Sequence, residues 1–216
     1  MNRVEIKNDA KAKIKGNLWN IIWPVLLISV IEGTLISLFA GNAFNSIDFS
    51  DLENIKIPTS YSAIMSVVSI LAGIVMAGYT KYILNFARTG KFDSNDILNT
   101  VKEKWLNILI ANILVSIIVG VCSILLVIPG IIMAFAYAVV TYLVIDTDTK
   151  GSDALSKSRQ MMKGYKMDYF VFNLSFIGWY LLVPLTFGLI LIWLYPYVTV
   201  AQALYYDRLK TLKGIK

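Results

Sequence analysis

"WLNILIANILVSIIVGVCSILLVIPGIIMAFAYAVVTYLVI", Trp105 to Ile145, runs for 41 residues without one charged side chain. A helix rises about 1.5 Å per residue, so this stretch reaches roughly 60 Å, twice the ~30 Å hydrocarbon thickness of a bilayer. Pro129-Gly130 interrupts it and supplies a turn. The stretch therefore reads as two membrane crossings. Working outward, Leu18–Ala40 and Ile57–Thr80 are each long enough for one crossing. Tyr169–Tyr206 is a second doubled run, 38 uncharged residues with its bend expected from Pro184 to Gly188. The predicted spans lie near residues 18–40, 57–80, 105–128, 130–147, 169–184 and 187–207. The expected fold class is all-α: a polytopic membrane bundle of six transmembrane helices in a single integral membrane domain, residues 1–216. Two spans are tight, with 16 residues from Gly130 to Ile145 and 15 from Tyr169 to Val183. Either the turns sit off-centre or flanking residues complete these helices, and a re-entrant element is the lesser alternative.

Composition agrees. Hydrophobic residues make up 57% of the 216-residue chain and charged residues only 16%, against about 25% charged in a soluble domain. Histidine is absent and Cys122 is the one cysteine. No internal disulfide can form, and the commonest general base and metal ligand at neutral pH is missing. The net charge of +6 could suggest nucleic acid, but in a membrane chain it has a simpler cause in topology.

Nineteen of the 20 Lys and Arg residues fall in the N-terminal segment, the loops after the second and fourth spans, and the tail; Lys56 is the exception. By the positive-inside rule that side is cytoplasmic and holds both termini. The first apolar run is too long for a signal-peptide core of 7–15 residues, so it is expected to remain as a span rather than be cleaved.

An internal repeat is expected as well. "NDAKAKIKGNLW" (Asn8–Trp19), "NDILNTVKEKWL" (Asn95–Leu106) and "SDALSKSRQMMKGY" (Ser152–Tyr165) each open with a polar residue and Asp, suited to a helix N-terminus. Each then reads as a short basic helix leading into a span. Ile97, Val101 and Trp105, spaced four apart, share a face that could lie against lipid headgroups while the lysines meet anionic lipid. "GIVMAGY", "GIIMAFAY" and "GLILIWLYPY" begin at Gly73, Gly130 and Gly188, at spacings of 57 and 58. Three pseudo-repeats of amphipathic helix plus hairpin follow, the first enlarged by an outer loop near Gly41–Lys56.

The C-terminal third carries a resemblance. "IPGIIMAFAY" and "SRQMMKGYKMDYFVFNLSFIGWYLLVPLTFGLILIWLYPY" (Ser158–Tyr197) contain Pro129, Gly130, Tyr137, Ser158, Arg159, Met162, Gly164, Phe170, Ser175, Phe176, Trp179, Thr186, Gly188, Trp193, Pro196 and Tyr197. In these residues, and in Gly16–Trp19, the chain resembles the bacterial integral-membrane family catalogued as domain of unknown function 975. It departs at Ile190, where the family often has a second glycine. The resemblance implies a bacterial plasma-membrane protein and no particular activity.

The candidate site is a set of intramembrane polar residues. Glu32 lies 13 residues past Trp19, about 20 Å along the helix and beyond the midplane. An acid there is a functional hypothesis by default: it could bind a cation, carry a proton or meet a cationic substrate. The bland readings are contact with outer water, or hydrogen bonding to neighbours, helped by a kink at Gly33-Thr34. Asn112, Asn173 and Gln202 are possible polar neighbours and equally plausible helix glue. Arg159 with Asp153 or Asp168 reads as an interfacial ion pair. Tyr137, Tyr142, Tyr195, Tyr197 and Tyr205 read as interface belt or packing. Asp48, Asp51 and Glu53 make an acidic outer loop that could attract cationic peptides.

There is no phosphate loop, His-Glu-x-x-His or serine-nucleophile motif. The expectation is a non-enzymatic accessory or interaction protein of the cell envelope, without catalytic, metal or cofactor-binding residues. Its partners are the bilayer, with anionic headgroups at the cytoplasmic face, and an unknown membrane protein; nucleic acid is not expected. The alternative is a small-solute or ion transporter or channel using Glu32.

Overall fold

The computed structural model describes residues 1–45, 57–147 and 149–215. The acidic loop with Asp48, Asp51 and Glu53 lies outside the described residues. Helices and turns, with no strand, make up the described residues. Four helical segments are long and apolar enough to cross a membrane: Leu18–Gly41, Thr59–Thr89, Asn95–Leu125 and Val127–Asp146. They belong to α2 (Leu18–Asn45), α3 (Thr59–Thr89), α4 (Asn95–Leu125), and the pair α5 (Val127–Ala136) and α6 (Val140–Asp146). Their outer faces present Leu26, Val30, Leu38, Val67, Leu71, Ile117, Val121 and Ile124, all at least half exposed. An apolar surface of that extent is far beyond what water-soluble monomers show.

The break between the third and fourth long segments comes three residues earlier than the expected Pro129-Gly130 turn. Leu126 is the extended residue (φ −158°, ψ 133°) that parts α4 from α5. Pro129 is the third residue of α5, within the first turn, where a backbone N–H has no intrahelical partner to lose. Gly130 is helical, and its role is close approach: a Cβ there would lie 2.2 Å from Ser123 Oγ and 2.9 Å from Ser123 Cα.

Pro24 sits within α2 and cannot donate to the carbonyl of Asn20. The Tyr82 hydroxyl from α3 donates to that freed carbonyl at 2.8 Å, and the Tyr79 hydroxyl donates to the next, Ile21, at 3.0 Å. Two tyrosines thus complete the backbone hydrogen bonding of the first turns of α2 and tie them to α3.

The remaining helices form a tightly packed end. α1 (Arg3–Ile14) buries Ile6, Ala10 and Ile14, one stripe at spacing four, against α10 (Leu191–Leu212). The apolar face of α1 is thus in the protein core. Asn8-Asp9 do not begin it: the helix starts at Arg3, capped by the Asn2 side chain. Asn95-Asp96 and, after Gly151, Ser152-Asp153 do open α4 and α7 (Gly151–Met161). The three repeat glycines sit in different local structures: Gly73 inside α3, Gly130 in the first turn of α5, and Gly188 in a left-handed turn (φ +82°).

The doubled run Tyr169–Tyr206 folds as a hairpin of unequal arms. Its first arm is α8 (Lys166–Leu174), α9 (Ile177–Tyr180) and hydrogen-bonded turns up to Phe187, and its second is α10. The expected bend is present, with Phe187 (φ 48°) and Gly188 both left-handed. α10 is buried on all sides, from Leu194 and Tyr197 to Tyr206 and Leu209.

Candidate functional site

At the packed end, three distant pieces of chain converge on Asp146, the acid that terminates the 41-residue uncharged run. Its side chain is 4% exposed. Arg88, at the end of α3, grips both carboxylate oxygens, the second at 2.9 Å. Lys210 of α10 donates at 2.7 Å, the Tyr206 hydroxyl at 3.1 Å, and Lys81 stands 3.6 Å away. Arg88 also reaches Asp207 at 2.7 Å. Three cations and two carboxylates leave one net positive charge. A carboxylate this buried is tolerable only because it is paired and hydrogen-bonded. Nearby, Lys104 donates to the carbonyls of Ile145 and Thr147, the exposed end of α6.

A second network holds α1. Arg208 donates to Glu5 at 2.9 Å and to Asp9 at 2.6 Å. The guanidinium holds the Glu5 carboxyl below its ordinary pKa. Arg3 stands 3.5 Å from Asp168, which accepts from the Tyr205 hydroxyl at 3.0 Å. Lys7 donates to Ser175 Oγ at 3.1 Å, and burial, then the neighbouring Lys11, push its pKa down.

Beside these closed networks lies an open cleft of about 870 Å³, lined by Tyr137, Ser152, Ser156, Arg159, Lys163 and Lys166, with Ile118 of α4 at its edge. Among the described residues no carboxylate lines it. Arg159 makes neither expected ion pair. Asp168 is taken by Arg3 and Tyr205, while among the described residues the Asp153 carboxylate accepts from the adjacent Ser152 alone, at 3.5 Å. With its neighbouring lysines and hydroxyls, Arg159 offers convergent donors to an anion.

The four predicted intramembrane residues do not form one site. Glu32 faces an apolar groove of about 110 Å³ between α2 and α3, lined by Ile28, Ile31, Leu35, Val68, Leu71, Ala72 and Val75. No described residue hydrogen-bonds to it. Thr34 donates to the Val30 carbonyl in the same helix and does not turn toward it. Asn112 is in another groove, between α3 and α4, with Ser69, Gly73 and Ser116. Only Asn173 and Gln202 meet, Gln202 donating to Asn173 Oδ1 at 3.2 Å across the C-terminal hairpin; this is the glue role. Of the tyrosines, Tyr142 stacks on Tyr206 at 4.8 Å and Tyr79 on Tyr195 at 6.3 Å, as packing. Asp146 is the residue that sequence reasoning missed. Its one signal is its place, as the first charge after the long run; its partners are 58 and 64 positions away.

Among the described residues no three His, Cys, Asp or Glu gather as metal ligands. The arrangement defines a class: an all-helical chain with four potential membrane crossings and a basic, ion-paired end. Residues 118–213, 96 of the 216, match the family model described as "Protein of unknown function (DUF975)". That is the family which Pro129 through Tyr197 resemble, and the matched region takes in Asp146, the basic cleft and the C-terminal hairpin. No curated protein and no solved structure matches the chain.

Proposed function

We propose that this chain is a non-enzymatic accessory protein of the bacterial plasma membrane, with both termini cytoplasmic, that holds anionic lipid headgroups at its cytoplasmic face. The observation that carries this reading is the open cleft of Arg159, Lys163 and Lys166. It is basic, has no lining acid among the described residues, and lies where the apolar side chain of Ile118 meets charged side chains. A phosphodiester there would find one planar guanidinium and two ammonium groups. Asp146, Arg88, Lys210, Arg208, Glu5 and Asp9 at this end are engaged in helix-to-helix contacts, which suits a rigid scaffold rather than a site that exchanges protons. The distribution of Lys and Arg supports the orientation.

The test is lipid binding by the purified protein in zwitterionic nanodiscs, titrated with phosphatidylglycerol or with extra phosphatidylcholine. Binding selective for the anionic lipid and lost in Arg159→Ala/Lys163→Ala/Lys166→Ala supports the reading. Equal binding of both lipids, or unchanged binding by the triple variant, overturns it.

Transport through Glu32 is the second reading, favoured by the lack of any described partner for that carboxylate. It requires a water path to position 32, whereas every other residue lining the Glu32 groove is apolar. Loss of solute or ion flux in Glu32→Gln proteoliposomes would establish it.

A further inference from the structure

The C-terminal hairpin stands beside a helix that cannot enter hydrocarbon. Along its two arms the paired side chains are Asp168 with Tyr205 (3.0 Å), Phe176 with Tyr197 (5.2 Å between ring centres) and Trp179 with Trp193 (5.2 Å). α1 lies against this ladder and climbs it. Arg3 is level with Asp168, Lys7 with Ser175 and Phe176, and Lys11 stands 5.6 Å over the Tyr197 ring. Trp193, the second member of the last pair, packs on the same Tyr197 ring at 5.0 Å.

The first long apolar helix begins just past this point, at Leu18, after the left-handed turn at Gly16 (φ +83°). Its first turns are held by Tyr79 and Tyr82, and Tyr79 stacks on Tyr195. Lys11, Tyr197, Trp193, Tyr195 and Tyr79 therefore lie close together, with Trp19 next to the Asn20 carbonyl that Tyr82 holds. Lysine at the water side and Trp and Tyr at the headgroups is the pattern of a membrane boundary. From Trp193 to the Gly188 turn is five residues, about 8 Å of helix. A crossing needs ~30 Å.

What projects past the boundary is apolar and open: Leu181 (68% exposed), Leu185 (74%), Phe187 (96%) and Leu189 (69%). Phe187 holds a left-handed backbone (φ 48°). A bulky residue kept in that strained conformation at the most exposed point of a tip is paired there with a use for its ring.

We propose that residues 181–189 form a wedge in the cytoplasmic leaflet, not the top of a fifth and sixth crossing, so that the chain crosses the membrane four times. The occupant of the exposed apolar tip is the acyl-chain region just under the headgroups. Lys13 and Lys15 at the end of α1 stand where the phosphates of anionic lipid would be. The depth of about 8 Å is that of interfacial insertion. Four crossings keep both termini on one side, as six would, and the proposal rests on the reading of the protein as membrane-embedded.

The experiment is cysteine mapping of the full chain in a Cys122→Ser background. Phe187→Cys is compared with Ala12→Cys, an exposed position on α1. Each is challenged with a membrane-impermeant thiol reagent in cells and in inverted vesicles, then labelled with a nitrobenzoxadiazole fluorophore and quenched by lipids with nitroxides at shallow or deep positions. The expected result is loss of aqueous labelling at position 187 from both sides, with quenching strongest for the shallow nitroxide. Labelling at 187 from the face opposite to 12 means a crossing and overturns the wedge, whatever the absolute orientation. Labelling from the same face as 12 without quenching puts the tip in water and overturns it too. Labelling of 12 from outside the cell would refute the cytoplasmic orientation alone. Leu185→Cys repeats the test if Phe187→Cys does not fold.

Discussion

Replacing Asp146 by Asn removes the charge at the centre of the packed end while keeping its shape. The carboxylate is 4% exposed and answers Arg88, Lys210, Tyr206 and, at 3.6 Å, Lys81. Neutralising it takes the local charge from one positive to two and leaves three cations facing each other across an amide. Removing one partner of a fully buried pair costs about 3–5 kcal/mol. Here the cations are partly wet, with Arg88 27% and Lys210 18% exposed, and Arg88 keeps Asp207. The cost is therefore about 2–3 kcal/mol, the remainder being screened by solvent. For a chain of this size 1 kcal/mol moves Tm by roughly 2–4 °C, so a fall of about 4–12 °C follows. The assay is thermal unfolding of the purified protein in one detergent, as a double-mutant cycle with Lys210→Met. The double variant restores the wild-type local charge, so it should lose less than the sum of the single losses, with a coupling of about 1 kcal/mol or more. A fall smaller than about 2 °C, or strictly additive losses, would refute the idea that Asp146 holds this end together by charge.

Further outcomes follow from other contacts. Gly130→Ala puts a Cβ against Ser123 and should cost about 1–3 kcal/mol by parting α4 from α5; unfolding in denaturing detergent measures it, with Ser123→Gly as the partial rescue. Glu32→Leu should leave Tm unchanged or raised, since the groove around position 32 offers the carboxylate no described partner; a clear drop would reveal an unseen one. For Glu5, Arg208 lowers the folded pKa, so the folded state binds fewer protons than the unfolded one in the window between the two values. The stabilisation is present above the ordinary carboxyl range near about pH 4 and is lost as pH falls through the lowered value. Protection of the α1 amides, taken relative to the intrinsic exchange rate at each pH, should fall on acidification, and Arg208→Gln should remove that dependence. Gly188→Ala forces alanine into a left-handed turn and should cost about 1 kcal/mol, again read as a Tm shift.

Much of this was legible in the residues. Long uncharged runs determine that helices satisfy their own backbone groups in an apolar medium, so crossings near Leu18–Ala40 and Ile57–Thr80 and the doubled run after Lys104 were readable from length, while the continuation of the second helix through Lys81 and Arg88 to Thr89 was not. The asymmetry of Lys and Arg, the bend near Gly188 and the likeness around Pro129–Tyr197 were readable for the same reason: each is local in the chain or a simple sum along it. Asp146 was not, because an isolated acid at the end of an apolar run says nothing of Arg88 and Lys210, which only folding brings to it. The place of α1 was not legible because a basic segment with one apolar stripe suits a headgroup surface and a protein groove equally; the stripe Ile6, Ala10 and Ile14 is settled by which surface stands opposite. Glu32, Asn112, Asn173 and Gln202 share polarity but not place, since helix rotation, absent from any run of residues, decides which face each meets. The depth of the hairpin is of the same kind. Its 38 uncharged residues are enough for two crossings, and only the packing of lysine-bearing α1 along its flank restricts how far it can enter, because an ammonium group must stay within reach of water.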